Sequence, residues 1–193
     1  MLSIWSLAPN FSHSDVDGLR HALSTGQQYL SKQFDDGADV VDLVKQRSHF
    51  VDQVIARLWQ SHLPSNVNAA LLAVGGYGRS ELHPYSDIDL LVLLDDSLSE
   101  SPPAGLSEFF TKLWDIGLEV GHSVRTLNEC HQQAQQDITI ATNLLETRLL
   151  CGKPKLYDDL KSLTTTDKTW DTKLFYQNKL AEQVQRHAKY NDT

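Results

Sequence analysis

A chain of 193 residues, 40% hydrophobic and 22% charged, has apolar material for one packed core and is too hydrophobic for a disordered segment. Its net charge of −8, from 25 acidic against 17 basic side chains, argues against nucleic acid as a partner, because that affinity rests on phosphate contacts. No apolar run approaches the eighteen or so residues of a membrane helix, no secretory leader opens the chain, and Cys130 and Cys151 lack a CxxC spacing. A cytoplasmic protein with reduced thiols is therefore expected, without membrane partner, disulfide framework or zinc site.

The first ten residues read as a loosely tied terminus. Leu19, Ala22, Gly26 and Leu30, then Val40, Val44, Val51, Val54 and Leu58, recur at helical spacing and predict two helices within residues 15–62, parted at Gly37. Pro64 ends that region. Residues 69–74 form a short apolar run stopped by Gly75-Gly76, and residues 88–94 a second one broken only by Asp89; both predict buried strands. Residues 106–116 predict a helix and 118–124 a third strand. Asn128 is expected to cap a helix reaching Gln136, and residues 138–150 to form another, closed by Gly152 and Pro154. In the last segment Leu174, Ala181, Val184 and Ala188 share one helical face. The expected class is α+β, a small mixed sheet with flanking helices: a helical extension at 1–64, a core at 65–152 and a C-terminal helical segment at 153–193.

The chemistry concentrates between Gly75 and Leu90. Gly75, Gly76 and Gly78 follow a buried strand and permit a turn whose N–H groups can face a phosphate. Ten residues later, Asp87 and Asp89 alternate with Ile88 and Leu90, which puts both carboxylates on one face of a strand. Two acids at the mouth of an apolar strand call for a compensating charge, and a divalent cation supplies it. A cap at Asp87 with an Asp89–Arg79 ion pair is the competing structural account. The histidines lack a metal-ligand spacing, and His83 and His122 read as structural or surface groups. Trp5, Trp59, Trp114 and Trp170 read as packing residues.

Gly-Gly, ten residues, then Asp-x-Asp resembles the signature of the polymerase-beta-like nucleotidyltransferases. The fuller wording GGYGRSELHPYSDIDLLVLL is similar to one branch, the bifunctional uridylyltransferase and uridylyl-removing enzymes acting on the PII nitrogen-signalling protein. LWDIGLEVGHSVRTLNEC, ATNLLETRLLCG and EQVQRHAKYNDT carry the likeness from about residue 40 onward. The resemblance implies the polymerase-beta-like fold and UMP transfer from UTP to a PII tyrosine hydroxyl, releasing pyrophosphate. It also implies two Mg²⁺ ions held by Asp87 and Asp89, with Asp87 bridging. A third carboxylate is expected at Glu119, with Asp115 and Asp137 as fallbacks. Gly75, Gly76 and Gly78 would cradle the triphosphate, with Arg79 and Ser86 as phosphate contacts; a structural salt bridge suits Arg79, and a turn cap Ser86, equally well. The family continues into an HD-type hydrolase domain and two ACT domains, neither of which fits in 193 residues. Uridylyl removal and glutamine sensing are therefore not expected of this chain. An adenylyltransferase of the same superfamily and a non-catalytic nucleotide-binding module are the alternatives.

Overall fold

The computed structural model describes residues 16–98, 101–164 and 172–190. Helices α1 (Val16–Asp35) and α2 (Val40–His62) form a hairpin parted at Gly37, which takes φ 85°, and Asp39 caps α2 by accepting from the Val41 N–H at 2.8 Å. A Cβ at Gly26 would lie 2.6 Å from the Phe50 ring, so the glycine lets the two helices approach. Strand β1 (Ala69–Ala73), the one-turn helix α3 (Gly75–Gly78) and strand β2 (Ile88–Leu94) follow. Helix α4 (Leu106–Asp115) crosses to β3 (Val120–Thr126), and α5 (Leu127–Gln136), α6 (Ile138–Leu145), β4 (Arg148–Gly152), α7 (Pro154–Leu163) and α8 (Thr172–Tyr190) complete the order.

The sheet runs β3-β2-β1-β4, with β1 antiparallel to both neighbours and β2 parallel to β3, so it is mixed and the class is α+β. One face buries Leu71, Ala73, Ile88, Leu90 and Val92 against Val54, Ile55 and Leu58 of α2 and Phe109 and Leu113 of α4. The other buries Leu72, Leu91 and Leu93 against Cys130, Ala134, Leu144 and Leu160 of α5, α6 and α7. All five β1 residues are buried, as a central strand covered on both faces requires.

Several boundaries differ from the sequence reading. Residues 138–150 are not one helix: α6 ends at Leu145, and β4 pairs with β1 from Ala70↔Gly152 to Ala73↔Arg148. The apolar Leu149-Leu150-Cys151 suits either state, and pairing decides it, since β1 would otherwise present a bare edge. Pro154 opens α7 rather than closing a helix, because its missing N–H costs nothing in the first turn. Strand β3 starts at Val120, two residues later than expected. Thr126, not Asn128, caps α5, in a reciprocal box with Glu129 at 3.3 and 2.8 Å. On α8, Ala181, Val184 and Ala188 are exposed, Val184 to 61%. Residues 1–10, Trp5 and Trp170 lie outside the described residues. Among the described residues, no helix is long and apolar enough to cross a membrane.

Candidate functional site

The glycine turn is built against β2. The Val74 N–H donates to the Asp89 carbonyl at 3.1 Å, and the chain then reverses through Gly75 at φ +59°. An ideal Cβ on Gly75 would stand 4.0 Å from Asp89 Oδ2, so the turn and the second aspartate meet. Gly78 packs so closely that a Cβ would lie 1.8 Å from the Glu146 carbonyl oxygen, leaving glycine as the residue that fits. The first N–H groups of α3, on Gly75, Gly76 and Tyr77, have no acceptor within the helix, as at any helix start.

Asp87 and Asp89 are exposed, while Ile88 between them is buried in the core. Among the described residues no salt bridge reaches either carboxylate, so the Asp89–Arg79 pair is not formed. Partial burial, and then the Asp87 charge beside it, raise the Asp89 carboxyl above its ordinary value. Gly121 pairs with Asp89 across the parallel ladder, and a Cβ there would come within 2.8 Å of Asp89 Oδ1. The glycine leaves room for the carboxylate. Two unneutralised acids with hard oxygen donors fit a magnesium ion, which takes a few carboxylates and completes its shell with water and phosphate.

Glu119 precedes β3; its carbonyl accepts from the Ile88 N–H at 3.0 Å and its side chain is exposed. Among the described residues no three His, Cys, Asp or Glu come together to hold a metal, so Glu119 does not complete a trio with the aspartates. The fallbacks are occupied elsewhere: Asp115 pairs with Lys112 at 3.3 Å, and Asp137 caps α6 through the Thr139 N–H at 2.7 Å. Arg79 is held by Glu81 at 2.8 Å and Glu146 at 2.5 Å, which fastens the turn to the end of α6. Ser86 is exposed, and its N–H donates to the His83 carbonyl at 3.1 Å. His122 stacks on Phe110, centroids 3.8 Å apart, on the α4 side of the sheet. Trp59 packs edge-on to Phe109 at 5.5 Å, and Trp114 is half-exposed against Phe110. Cys130 and Cys151 are free, and burial pushes both thiols up to about 12.

Sequence reasoning missed the support beneath the turn. Arg148 of β4 grips both oxygens of Asp52 from α2, Nη1 to Oδ2 at 2.7 Å and Nη2 to Oδ1 at 3.0 Å. Its Nη2 also donates to Ser48 Oγ at 3.2 Å and to the Tyr77 carbonyl at 3.1 Å. The Tyr77 hydroxyl donates to Asp52 Oδ1 at 2.7 Å, and burial, then Asp52, holds that phenol well above its usual pKa. Finding Arg148 required knowing that it starts a strand beside β1 rather than lying in a helix.

The family described as Nucleotidyltransferase domain matches residues 53–145. The chain is 46% identical over 179 residues to a bifunctional uridylyltransferase/uridylyl-removing enzyme of Vibrio cholerae serotype O1, covering 92% of this chain and 20% of that protein. It is 45% identical over 181 residues to the enzyme of that name in Pseudomonas syringae pv. syringae, covering 93% of this chain and 20% of that protein. The chain thus spans about a fifth of the length of the curated relatives it matches. A solved toxin–antitoxin structure with AMP-PNP covers 73% of this chain and 96% of its own at 20% identity, with a TM-score of 0.38, too slight a likeness to bear on the site. The glycine turn and both aspartates lie inside the stretch that matches the nucleotidyltransferase domain.

Proposed function

We propose that this chain transfers UMP from UTP to a tyrosine hydroxyl of the PII nitrogen-regulatory protein, releasing pyrophosphate, with Mg²⁺ held by Asp87 and Asp89. The observation that carries the reading is the meeting of Gly75 with Asp89: a glycine turn and two unneutralised carboxylates share one end of the two central strands. The uridylyl donor follows from relatives named uridylyltransferases at 44–46% identity.

In the reaction the phenolic oxygen bonds to the α-phosphorus, the bridge to the β-phosphate breaks, pyrophosphate departs and the phenolic proton passes to a base. Bound Mg²⁺ would neutralise the phosphates and the charge that develops on the leaving group. The chain's own residues position the partners. The N–H groups of Gly75 and Gly76 would donate to the phosphates, and Gly121 keeps the space in which the Asp89 carboxylate stands.

The test is transfer of label from α-labelled UTP to purified PII by this chain, with Mg²⁺ and with EDTA, against an Asp87→Asn, Asp89→Asn variant. Magnesium-dependent labelling of a PII tyrosine, lost in the variant, supports the reading. Labelling from ATP at equal or greater rate would replace it with adenylyl transfer. Failure to label PII from any donor under these conditions would sink it.

A further inference from the structure

Asp89 also lines a cleft of about 240 Å³ between the sheet and α6, and Val74, the residue before the glycine turn, lines it too. Gly121, Ser123 and Arg125 enter it from alternate positions of β3, and Ile140 and Asn143 from α6. Arg125 is half-buried there, and among the described residues it makes no ion pair and no side-chain hydrogen bond. Its guanidinium donors are therefore uncommitted within the protein and available to a ligand acceptor.

Granting the nucleotidyl-transfer reading, the donor's α-phosphate lies at Asp87 and Asp89 and its other two phosphates toward the turn. The cleft runs from Val74 past Asp89 to Ser123 and Arg125, which lie opposite Leu91 and Leu93 farther along β2, so it offers the nucleoside half a path leading away from the phosphates. We propose that the cleft is the donor's nucleoside subsite, selective for a pyrimidine, with Arg125 and Asn143 as the residues that read the base. Its volume is below the roughly 300–1,000 Å³ of pockets that take a whole drug-sized ligand, which suits one ring and a sugar. Arg125 can only donate, and pyrimidine bases present a carbonyl oxygen that adenine lacks. Asn143 can both donate and accept, so it suits the mixed edge of uracil. Arg125 disfavours a base without the matching acceptor, because its N–H donors are then left unpaired.

Calorimetric titration with UTP, ATP and inorganic tripolyphosphate in Mg²⁺ tests this on the wild type, Arg125→Ala, Arg125→Lys and Asn143→Ala, with thermal melts to verify folding. Arg125→Ala is expected to weaken UTP at least tenfold, to keep tripolyphosphate within about twofold, and to shrink the preference for UTP over ATP. Arg125→Lys should recover part of the loss, and Asn143→Ala, an exposed substitution that leaves the fold intact, should cost UTP several-fold. Equal losses for UTP and tripolyphosphate would make Arg125 a phosphate ligand and overturn the proposal, as would unchanged UTP binding in both Arg125→Ala and Asn143→Ala. If the wild type binds neither triphosphate, or binds them equally after Asp87→Asn and Asp89→Asn, the underlying transfer reading fails, and the nucleoside subsite with it.

Discussion

Two turns meet at the aspartates, and the fold treats them differently. The turn at Gly75–Gly78 rests on Arg148, Asp52, Ser48 and Tyr77, in a network with side-chain exposures of 27% for Arg148 and 16% for Asp52. The loop before β2 has Tyr85 97% exposed at φ 65°, and within it the Ser86 N–H bonds back to the His83 carbonyl. A surface that must contact a triphosphate without reorganising gains from a fixed backbone. The glycine turn is braced from below, and the outer loop is left in water.

The sharpest way to break that contrast is Arg148→Met. Removing one partner of a poorly exposed pair leaves the Asp52 carboxylate with only the Tyr77 hydroxyl and His49 beside it, with an expected loss of about 3 kcal/mol in urea unfolding. An Asp52→Leu, Arg148→Met double variant should recover much of it, since the orphaned charge is gone. If Arg148→Met costs less than about 1 kcal/mol, the turn is not held from below.

Gly78→Ala should cost about 2 kcal/mol, because the new methyl meets the Glu146 backbone rather than a yielding side-chain tip. UTP binding should fall along with stability, since the turn has to shift. A Gly78→Ala chain that binds UTP like the wild type would mean that the backbone there is free to move.

The uneven legibility of these parts has physical causes. β1 and β2 were readable because burial on both faces writes a continuous apolar run, and Asp89 stood out as the one break in such a run. The turn was readable because the spacing of its glycines is local. The Arg148–Asp52 pair joins residues 96 positions apart, so nothing near either residue signals the other. Arg125 is legible only once the parallel register puts it on the face of Asp89 and Gly121. Glu119 sits between apolar neighbours, as a strand position would, and β3 begins one residue later.

A smaller effect separates the hydroxyl of Tyr77 from the rest of its network. Tyr77→Phe removes a hydrogen bond to a carboxylate that keeps its arginine, so about 1 kcal/mol is expected at neutral pH. The phenol's folded pKa is raised, so above the ordinary tyrosine value near 10 the unfolded chain gives up a proton that the folded chain retains. Stability then falls as pH rises through that window. Comparing wild type and Tyr77→Phe at pH 8 and pH 10.5 isolates this group: the gap between them should narrow at the higher pH. A gap that stays constant would place the hydroxyl outside the hydrogen bond to Asp52.

Tyr85→Ala should have the smallest effect, and it tests the open side. The left-handed backbone at residue 85 strains alanine as it strains tyrosine, so that cost is unchanged, and the ring it removes is almost wholly in water. Urea unfolding is therefore expected to move by less than about 0.5 kcal/mol, and UTP affinity not at all. A loss approaching that of Arg148→Met would mean that the outer loop is anchored as firmly as the glycine turn, and the division between a fixed phosphate side and an open outer side would fall.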